Sequence, residues 1–265
     1  MSIVILVGGQ SSDANPEHRY LVQAFIDHFG DAVTRIISAE PQRDPLPVRL
    51  KRAIKRGSYM ERYRRSRYPG SFGPDSDELA VALFDEKAPS TLAGGDKRAI
   101  VPSHNGAACE QLLDIDKPDL IVVYGTRIIR DNIFARAGIA TLNMHTGLSP
   151  HYRGDSTLFW PVYYDDPDHL GVTVHKLAAS VDGGDIVYTG KVPYTNGDTE
   201  ADLFAKGVKV GTELYIRAVE DALANRIQYH PQDLSIGREF RWIHRTVAAE
   251  HRVIANLAAW ANRSK

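Results

Sequence analysis

The side chains best able to do acid–base chemistry are concentrated between Asn143 and Asp182. Asn143-Met144-His145 closes the apolar run Ile139-Ala140-Thr141-Leu142, which puts both polar residues at the carboxyl end of an expected strand. Residues two apart on a strand point to one face, so an amide donor stands beside an imidazole that titrates near neutrality. Such a pair can hold a carbonyl oxygen and move a proton. Gly147-Leu148-Ser149-Pro150-His151-Tyr152-Arg153-Gly154 follows, with glycines at both ends and a proline inside, and reads as a shaped loop forming one wall of a cleft. Leu170 to Leu177 alternates as a strand does, and Ser180-Val181-Asp182-Gly183-Gly184-Asp185 is a turn that brings a carboxylate back as a candidate partner for the imidazole. Singly, each residue has a commoner structural role: a strand-end histidine is usually satisfied, an asparagine before a turn is usually a cap, and Asp-Gly-Gly-Asp is usually a turn. Their combination and order point to a site.

The same residues resemble the core of the folate-dependent formyltransferases, the family of glycinamide ribonucleotide transformylase, methionyl-tRNA formyltransferase and the sugar N-formyltransferases. That family shows Asn-x-His-x-Ser-Leu-Leu-Pro-x-Tyr-Arg-Gly, then Gly-Val-Thr-x-His, then Leu-Asp-x-Gly-x-Ile. The matching positions here are Asn143, His145, Pro150, Tyr152, Arg153, Gly154, Gly171, Val172, Thr173, His175, Asp182 and Gly184. Thr146-Gly147-Leu148-Ser149 departs from the family's Pro-Ser-Leu-Leu. The resemblance implies that Asn143, His145 and Asp182 are catalytic. It also implies that N10-formyltetrahydrofolate is the co-substrate, held by Arg127, Ile128 and Ile129 and by Ala179, Ser180 and Val181. Contacts to the amine acceptor are expected from Gly9, Gln10, Ser11, Thr146, Tyr152, Arg153 and His175. No metal is required, and the histidines lack the spacing of a metal site.

These residues need a scaffold. Ser2 to Val7 is a continuous apolar run ending in Gly8-Gly9-Gln10-Ser11-Ser12, the pattern of a central parallel strand buried on both faces. A helix from Pro16 to Phe29 and a strand from Ala32 to Ile37 complete a βαβ opening. The alternation continues through a strand at Ala99–Pro102, a helix at Asn105–Leu113 carrying Cys109 on its apolar face, and a buried strand at Asp119–Gly125. Asp185 to Val192 reads as a strand, and Thr199 to Ala224 as a long helix with Leu203, Gly207, Val210, Leu214, Ala218 and Ala222 on one stripe. The expected class is α/β, a Rossmann-like, mostly parallel sheet with helices on both faces.

The expected organisation is a catalytic domain over residues 1–224, with a basic insertion or lid at 43–74, and a short carboxyl-terminal extension at 225–265. Ten Lys or Arg residues lie between Arg43 and Arg67, interleaved with Tyr59 and Tyr63 and followed by Tyr68-Pro69-Gly70. Such a segment can grip phosphates and stack on a base, although basic helical faces are often simply solvated. The chain has 265 residues, 43% hydrophobic and 25% charged, with a net charge of −1, so no global field recruits nucleic acid or an anionic membrane. A single cysteine excludes an internal disulfide framework. No apolar stretch approaches the roughly 20 residues of a spanning helix, and a cytoplasmic protein is expected. The favoured partner is a small amine acceptor, an amino sugar attached to a nucleotide, and a homodimer is left open. The rival readings are a formyltetrahydrofolate hydrolase and a non-catalytic nucleotide- or RNA-binding protein on the same fold.

Overall fold

The computed structural model describes residues 1–8, 15–39, 47, 59–70, 72–85 and 88–263. Its centre is a seven-stranded sheet. Five strands run parallel: β1 (Ile3–Val7), β2 (Val33–Ala39), β3 (Arg98–Val101), β4 (Leu120–Tyr124) and β5 (Ala140–His145). Two more, β7 (Gly171–Lys176) and β8 (Ile186–Lys191), close one edge antiparallel. The order across the sheet is β3-β2-β1-β4-β5-β7-β8. The chain moves outward from β1 through β2 to β3 and then returns to β4 on the other side, so the direction of winding reverses between β1 and β4. In open α/β sheets ligands bind at the carboxyl ends of strands beside such a reversal.

β1 shows why this sheet is covered on both faces. All five of its residues are buried, and they alternate between two cores. Ile3, Ile5 and Val7 pack with α1 (Pro16–Phe29), α3 (Ser76–Phe84) and α7 (Glu200–Leu223); Val4 and Leu6 pack with Cys109 and Leu113 of α4 (Ala107–Asp116). The remaining helices are α2 (Tyr59–Arg67), α5 (Asp131–Phe134), α6 (Phe159–Tyr163) and α8 (Val247–Arg263).

The expected elements are present with small shifts at their ends. Gly30–Ala32 forms a short 3-10 turn, so the second strand begins at Val33. The long helix lies within its expected span: the Thr199 hydroxyl accepts from the Asp202 N–H and the Asp202 side chain accepts from the Thr199 N–H, a reciprocal cap that fixes its start. Tyr215 from this helix is fully buried, and its hydroxyl accepts from the Val123 N–H at 2.8 Å and donates to the Leu142 carbonyl at 2.5 Å, which stitches β4 to β5 just before the catalytic end.

The described residues of the expected extension, 225–263, pack against the body of the protein. β9 (Arg238–Phe240) pairs in parallel with β6 (Tyr152–Gly154), the second half of the loop after β5. Phe240, Ala249, Val253 and Trp260 join Tyr152, Phe159, Trp160 and Val172 in a further hydrophobic core.

Candidate active site

A cavity of about 1300 Å³ opens at the carboxyl ends of β4 and β5. Asn143, His145 and Asp182 all line it. β5 supplies the first two on one face, as the two-residue period requires. Asp182 arrives on the turn between β7 and β8, in a left-handed conformation with φ 45°, one that aspartate tolerates better than most residues. Its carboxylate accepts from the Gly154 N–H at 2.9 Å, and one oxygen lies 3.4 Å from His145 Nδ1. Burial alone would raise the Asp182 pKa, but His145 beside it and the Gly154 N–H hold its carboxyl well below the usual carboxylate range. The carboxylate is therefore ionised and aimed at the imidazole.

His145 is 7% exposed, and its Nε2–H donates to the Tyr152 carbonyl at 2.9 Å. Nε2 thus donates to a carbonyl while Nδ1 faces a carboxylate. Gly147 makes room for this ring: a Cβ there would lie 2.5 Å from His145 Nε2 and from Thr157. The departure from the family's serine at this position thus presses the loop directly against the imidazole. Gly154, at φ 91°, is equally constrained, since a Cβ would lie 2.1 Å from the Phe240 carbonyl.

His175 belongs behind the site rather than on the acceptor side. It is 1% exposed, does not line the cavity, and lies 3.1 Å from Asn143 Nδ2 through its Nε2. Its Nδ1–H donates to the Lys176 carbonyl at 2.9 Å, which leaves Nε2 as an acceptor. Asp182 Oδ1 is farther from the same nitrogen, at 3.6 Å. The shorter contact fixes the Asn143 amide with one N–H on His175 and the other available to the cavity. Tyr152 is likewise corrected: its ring packs in the hydrophobic core with Phe240, its hydroxyl donates to Asp166 at 2.8 Å, and it reaches the site only through its backbone carbonyl. Arg153 does not line the cavity either, and its Nε is buried without a hydrogen-bond partner among the described residues.

The other expected contacts divide. Thr146 lines the cavity, as do Arg127, Ile128 and Ile129 on one side and Ala179, Ser180 and Val181 on another. Ile128 is 69% exposed and offers a flat apolar surface, whereas Ile129 is buried in the core with Leu6 and Val123. Asn105 braces this loop, donating to the Ile128 carbonyl and accepting from the Arg130 N–H, both at 2.8 Å. Gly9, Gln10 and Ser11 lie outside the described residues, as do residues 43–46 and 48–58 of the basic segment. In the described part of that segment, Arg65 is committed to structure. It is paired with Glu61 at 3.5 Å, its guanidinium lies 4.4 Å from the Phe72 ring and 5.7 Å from the Trp242 ring, and it donates to the Arg245 carbonyl.

Sequence reasoning missed one wall entirely. Glu200, Trp242, Arg245, Val253 and Leu257 line the cavity, drawn from α7 and the final forty residues. Among the described residues no group of three or more His, Cys, Asp or Glu could hold a metal ion, and no helix is long and apolar enough to cross a membrane.

Residues 79–219, more than half of the chain, match the formyl transferase family model. The chain belongs to the formyl transferase family. The matched span contains Asn143, His145 and Asp182. Methionyl-tRNA formyltransferase of Listeria monocytogenes serotype 4a is 30% identical over 127 residues, which cover 47% of this chain and 39% of that protein. The match thus spans well under half of the curated relative's length. Among solved structures, the N-formyltransferase from Helicobacter canadensis in complex with folinic acid and dTDP-3-aminofucose aligns with a TM-score of 0.59 at 16% identity, covering 97% of this chain and 81% of that one. Phosphoribosylglycinamide formyltransferase from Streptococcus pneumoniae TIGR4 aligns with a TM-score of 0.53 at 18% identity, covering 84% and 98%. At these identities the shared property is the Rossmann-like fold. This member of the formyl transferase family is a mostly parallel α/β protein with its candidate site at the strand ends.

Proposed function

We propose that this formyltransferase moves a formyl group from N10-formyltetrahydrofolate to the amine of a small acceptor, and that the acceptor is an amino sugar attached to a nucleotide. The convergence of Asn143, His145 and Asp182 on one wall of a single large cavity carries the transfer reading. The exposed Ile128 and the backbone of Ala179–Val181 suit a flat heteroaromatic ring, which supports the folate. The Helicobacter neighbour, crystallised with folinic acid and dTDP-3-aminofucose, supports both ligands.

The folate supplies the formyl group on a nitrogen. When a neutral amine attacks, negative charge develops on the formyl oxygen, the new nitrogen holds one proton too many and the leaving nitrogen one too few. The free N–H of Asn143 donates to that oxygen. His145, with Asp182 at its Nδ1, donates its Nε2 proton, otherwise shared with the Tyr152 carbonyl, to the leaving folate nitrogen as the bond between that nitrogen and the formyl carbon breaks. Asp182 accepts the amine's proton directly or through a water. A small acceptor places both nucleophile and formyl group inside the cavity, away from bulk water.

Incubation with N10-formyltetrahydrofolate and a panel of nucleotide-linked amino sugars, followed by mass spectrometry, is expected to add one formyl group to an acceptor. Formate release with no acceptor formylated would replace transfer by hydrolysis. Asn143→Ala is expected to lower turnover about 10²-fold, the effect of losing one oxyanion donor. A change confined to KM would reduce Asn143 to a binding residue.

A further inference from the structure

The turn that carries Asp182 is not self-supporting. Asp182 has φ 45°, a left-handed conformation that costs any residue but glycine, and Gly183 and Gly184 after it widen the choice of backbone shapes. Inside the turn the Gly183 N–H reaches the Ser180 carbonyl only at 3.3 Å. The place of the carboxylate therefore depends on what grips this backbone from outside.

Gln232 grips it at two points. Its Nε2 donates to the Asp182 carbonyl at 3.0 Å and to the Gly184 carbonyl, one N–H for each. Its Oε1 is buried with no hydrogen-bond partner among the described residues. The opposite amide orientation would set Oε1 against two carbonyl oxygens, so donation from Nε2 is the favourable arrangement. The Ser149 hydroxyl adds a longer contact to the Asp182 carbonyl, at 3.4 Å. A bonded carbonyl fixes its peptide plane, and the plane after Asp182 sets the rotation about that residue's Cα–C bond. With its carboxylate also held by the Gly154 N–H at 2.9 Å, Asp182 stands 3.4 Å from His145 Nδ1.

The stretch around Gln232 is pinned on both flanks. Before it, His230 bridges Ile186 at the start of β8, with N–H to carbonyl bonds of 2.8 Å in both directions. After it, Asp233 accepts from the Ser235 N–H at 2.9 Å and turns the chain, and the Arg238 N–H donates to the His151 carbonyl at 2.9 Å. Gly237 lies so close to the same loop that a Cβ would be 2.1 Å from the Pro150 carbonyl. One anchor is thus on the strand that follows the Asp182 turn, and the other on the loop whose Tyr152 carbonyl receives the His145 proton. Arg245, held between Glu200 and Glu250 in a buried ion triad, lines the cavity with its own side chain. Gln232 does not line the cavity, so it acts on the site only through the backbone it holds.

Resting on the reading of Asp182 and His145 as the reacting pair, we propose that Gln232 is a positioning residue for formyl transfer: its amide clamps the Asp182 turn and so sets the carboxylate against the imidazole. The carboxyl-terminal stretch thereby takes part in the chemistry as well as in the packing.

The test is nitrogen-15 NMR of the histidine rings in the folded full chain, with His145 assigned by its loss in His145→Gln. Gln232→Met, close in shape but without donors, is expected to move the His145 ring-nitrogen shifts in the direction that Asp182→Asn moves them. Gln232→Asn keeps an amide on a stem one methylene shorter, too short to span both carbonyls, and is expected to move them less. Gln228→Met makes the same exchange at an exposed position of the same stretch and is expected to move nothing. Unmoved shifts in Gln232→Met, or an equal movement in Gln228→Met, would overturn the proposal. Unmoved shifts in Asp182→Asn would uncouple carboxylate from imidazole and sink the catalytic reading together with the proposal. Circular dichroism checks each fold, and Gln232→Asn decides if Gln232→Met does not fold. On the panel of nucleotide-linked amino sugars, Gln232→Met is expected to lower kcat about tenfold and leave the folate's KM unchanged, as misplacing a reacting group does. A change in KM alone would make Gln232 a binding residue and overturn its positioning role. A wild type that formylates no compound of the panel would end the transfer reading, and the NMR comparison would still decide whether Gln232 places Asp182.

Discussion

The two walls of the cavity are built on opposite principles. The proposed catalytic wall draws Asn143, His145 and Asp182 from forty consecutive residues and holds them largely by backbone: the Tyr152 carbonyl on His145, the Gly154 N–H on Asp182, the Lys176 carbonyl on His175. The carboxyl-terminal wall draws Phe72, Glu200, Trp242 and Arg245 from three distant stretches and holds them by side chains, through a buried ion triad and guanidinium–ring contacts. Backbone contacts survive substitution of the residues that make them, whereas side-chain contacts change with every substitution. The first wall suits chemistry that a family shares, and the second suits a choice of acceptor that can diverge. Variants in the first should act on kcat, and variants in the second on the acceptor's KM.

The largest expected effect is on the catalytic wall. Asp182→Asn keeps an acceptor for the Gly154 N–H but removes the negative charge that faces His145 Nδ1 at 3.4 Å and the base for the amine's proton, and turnover is expected to fall about 10³-fold. The folate and acceptor KM values should move little, because the lost interaction strengthens in the transition state. Wild-type turnover in Asp182→Asn would break the comparison at its root.

Next in size is a pH effect that also separates the two sides. His18, on α1 beneath the strand ends, is buried edge-on against Tyr124, with the Asn15 amide 3.3 Å from its Nδ1. Burial pushes its pKa down to about 4. In the unfolded chain the ring titrates near 6.5, so between these values the unfolded state binds more protons and stability falls as pH falls. The loss between neutrality and pH 4 is on the order of 3 kcal/mol. Arg245, by contrast, is buried with its partners and stays charged throughout. Urea unfolding at pH 7 and pH 4.5 should show a smaller drop for His18→Gln than for wild type, and equal drops would remove His18 as the source of acid lability.

The difference between the walls also explains what the sequence disclosed. β1 and β4 were legible because strands buried on both faces are continuous apolar runs, and the convergence of Asn143, His145 and Asp182 on one cavity because a strand period of two and one turn bring them together. Ser76–Phe84 went unread, although Asp75 before Ser-Asp-Glu is a helix-start signal: its carboxylate accepts from the N–H groups of Asp77 and Glu78. No local pattern could give the pairing of β6 with β9, two three-residue strands far apart in the chain. The Glu200–Arg245 pair spans forty-five residues and carries no periodicity, so it was invisible until folding joined it. His175 matched the family pattern, but its role in orienting Asn143 depends on burial, which a motif does not encode.

The smallest expected effect probes how the carboxyl-terminal wall is held rather than what it contacts. The basic segment was expected to grip an acceptor phosphate, yet Arg65 has its guanidinium over Phe72 and Trp242 and its N–H groups on the carbonyls of Trp242 and Arg245. Its partner Glu61 accepts from the Val247 N–H at 3.0 Å, so α2 fastens the start of α8 at two points. Arg65→Met keeps much of the apolar stem and removes the charge, at a cost of about 1 kcal/mol for a half-exposed cation–ring contact. The loosened Trp242 should raise the acceptor's KM by a few-fold and leave kcat and the folate's KM unchanged. Arg64→Met, at an exposed position on the same helix, serves as the control and should leave all three unchanged. A matching rise in KM with Arg64→Met would mean that the segment acts by its charge on the incoming acceptor. In that case the wall would depend on the field of the basic segment more than on the packing of Arg65.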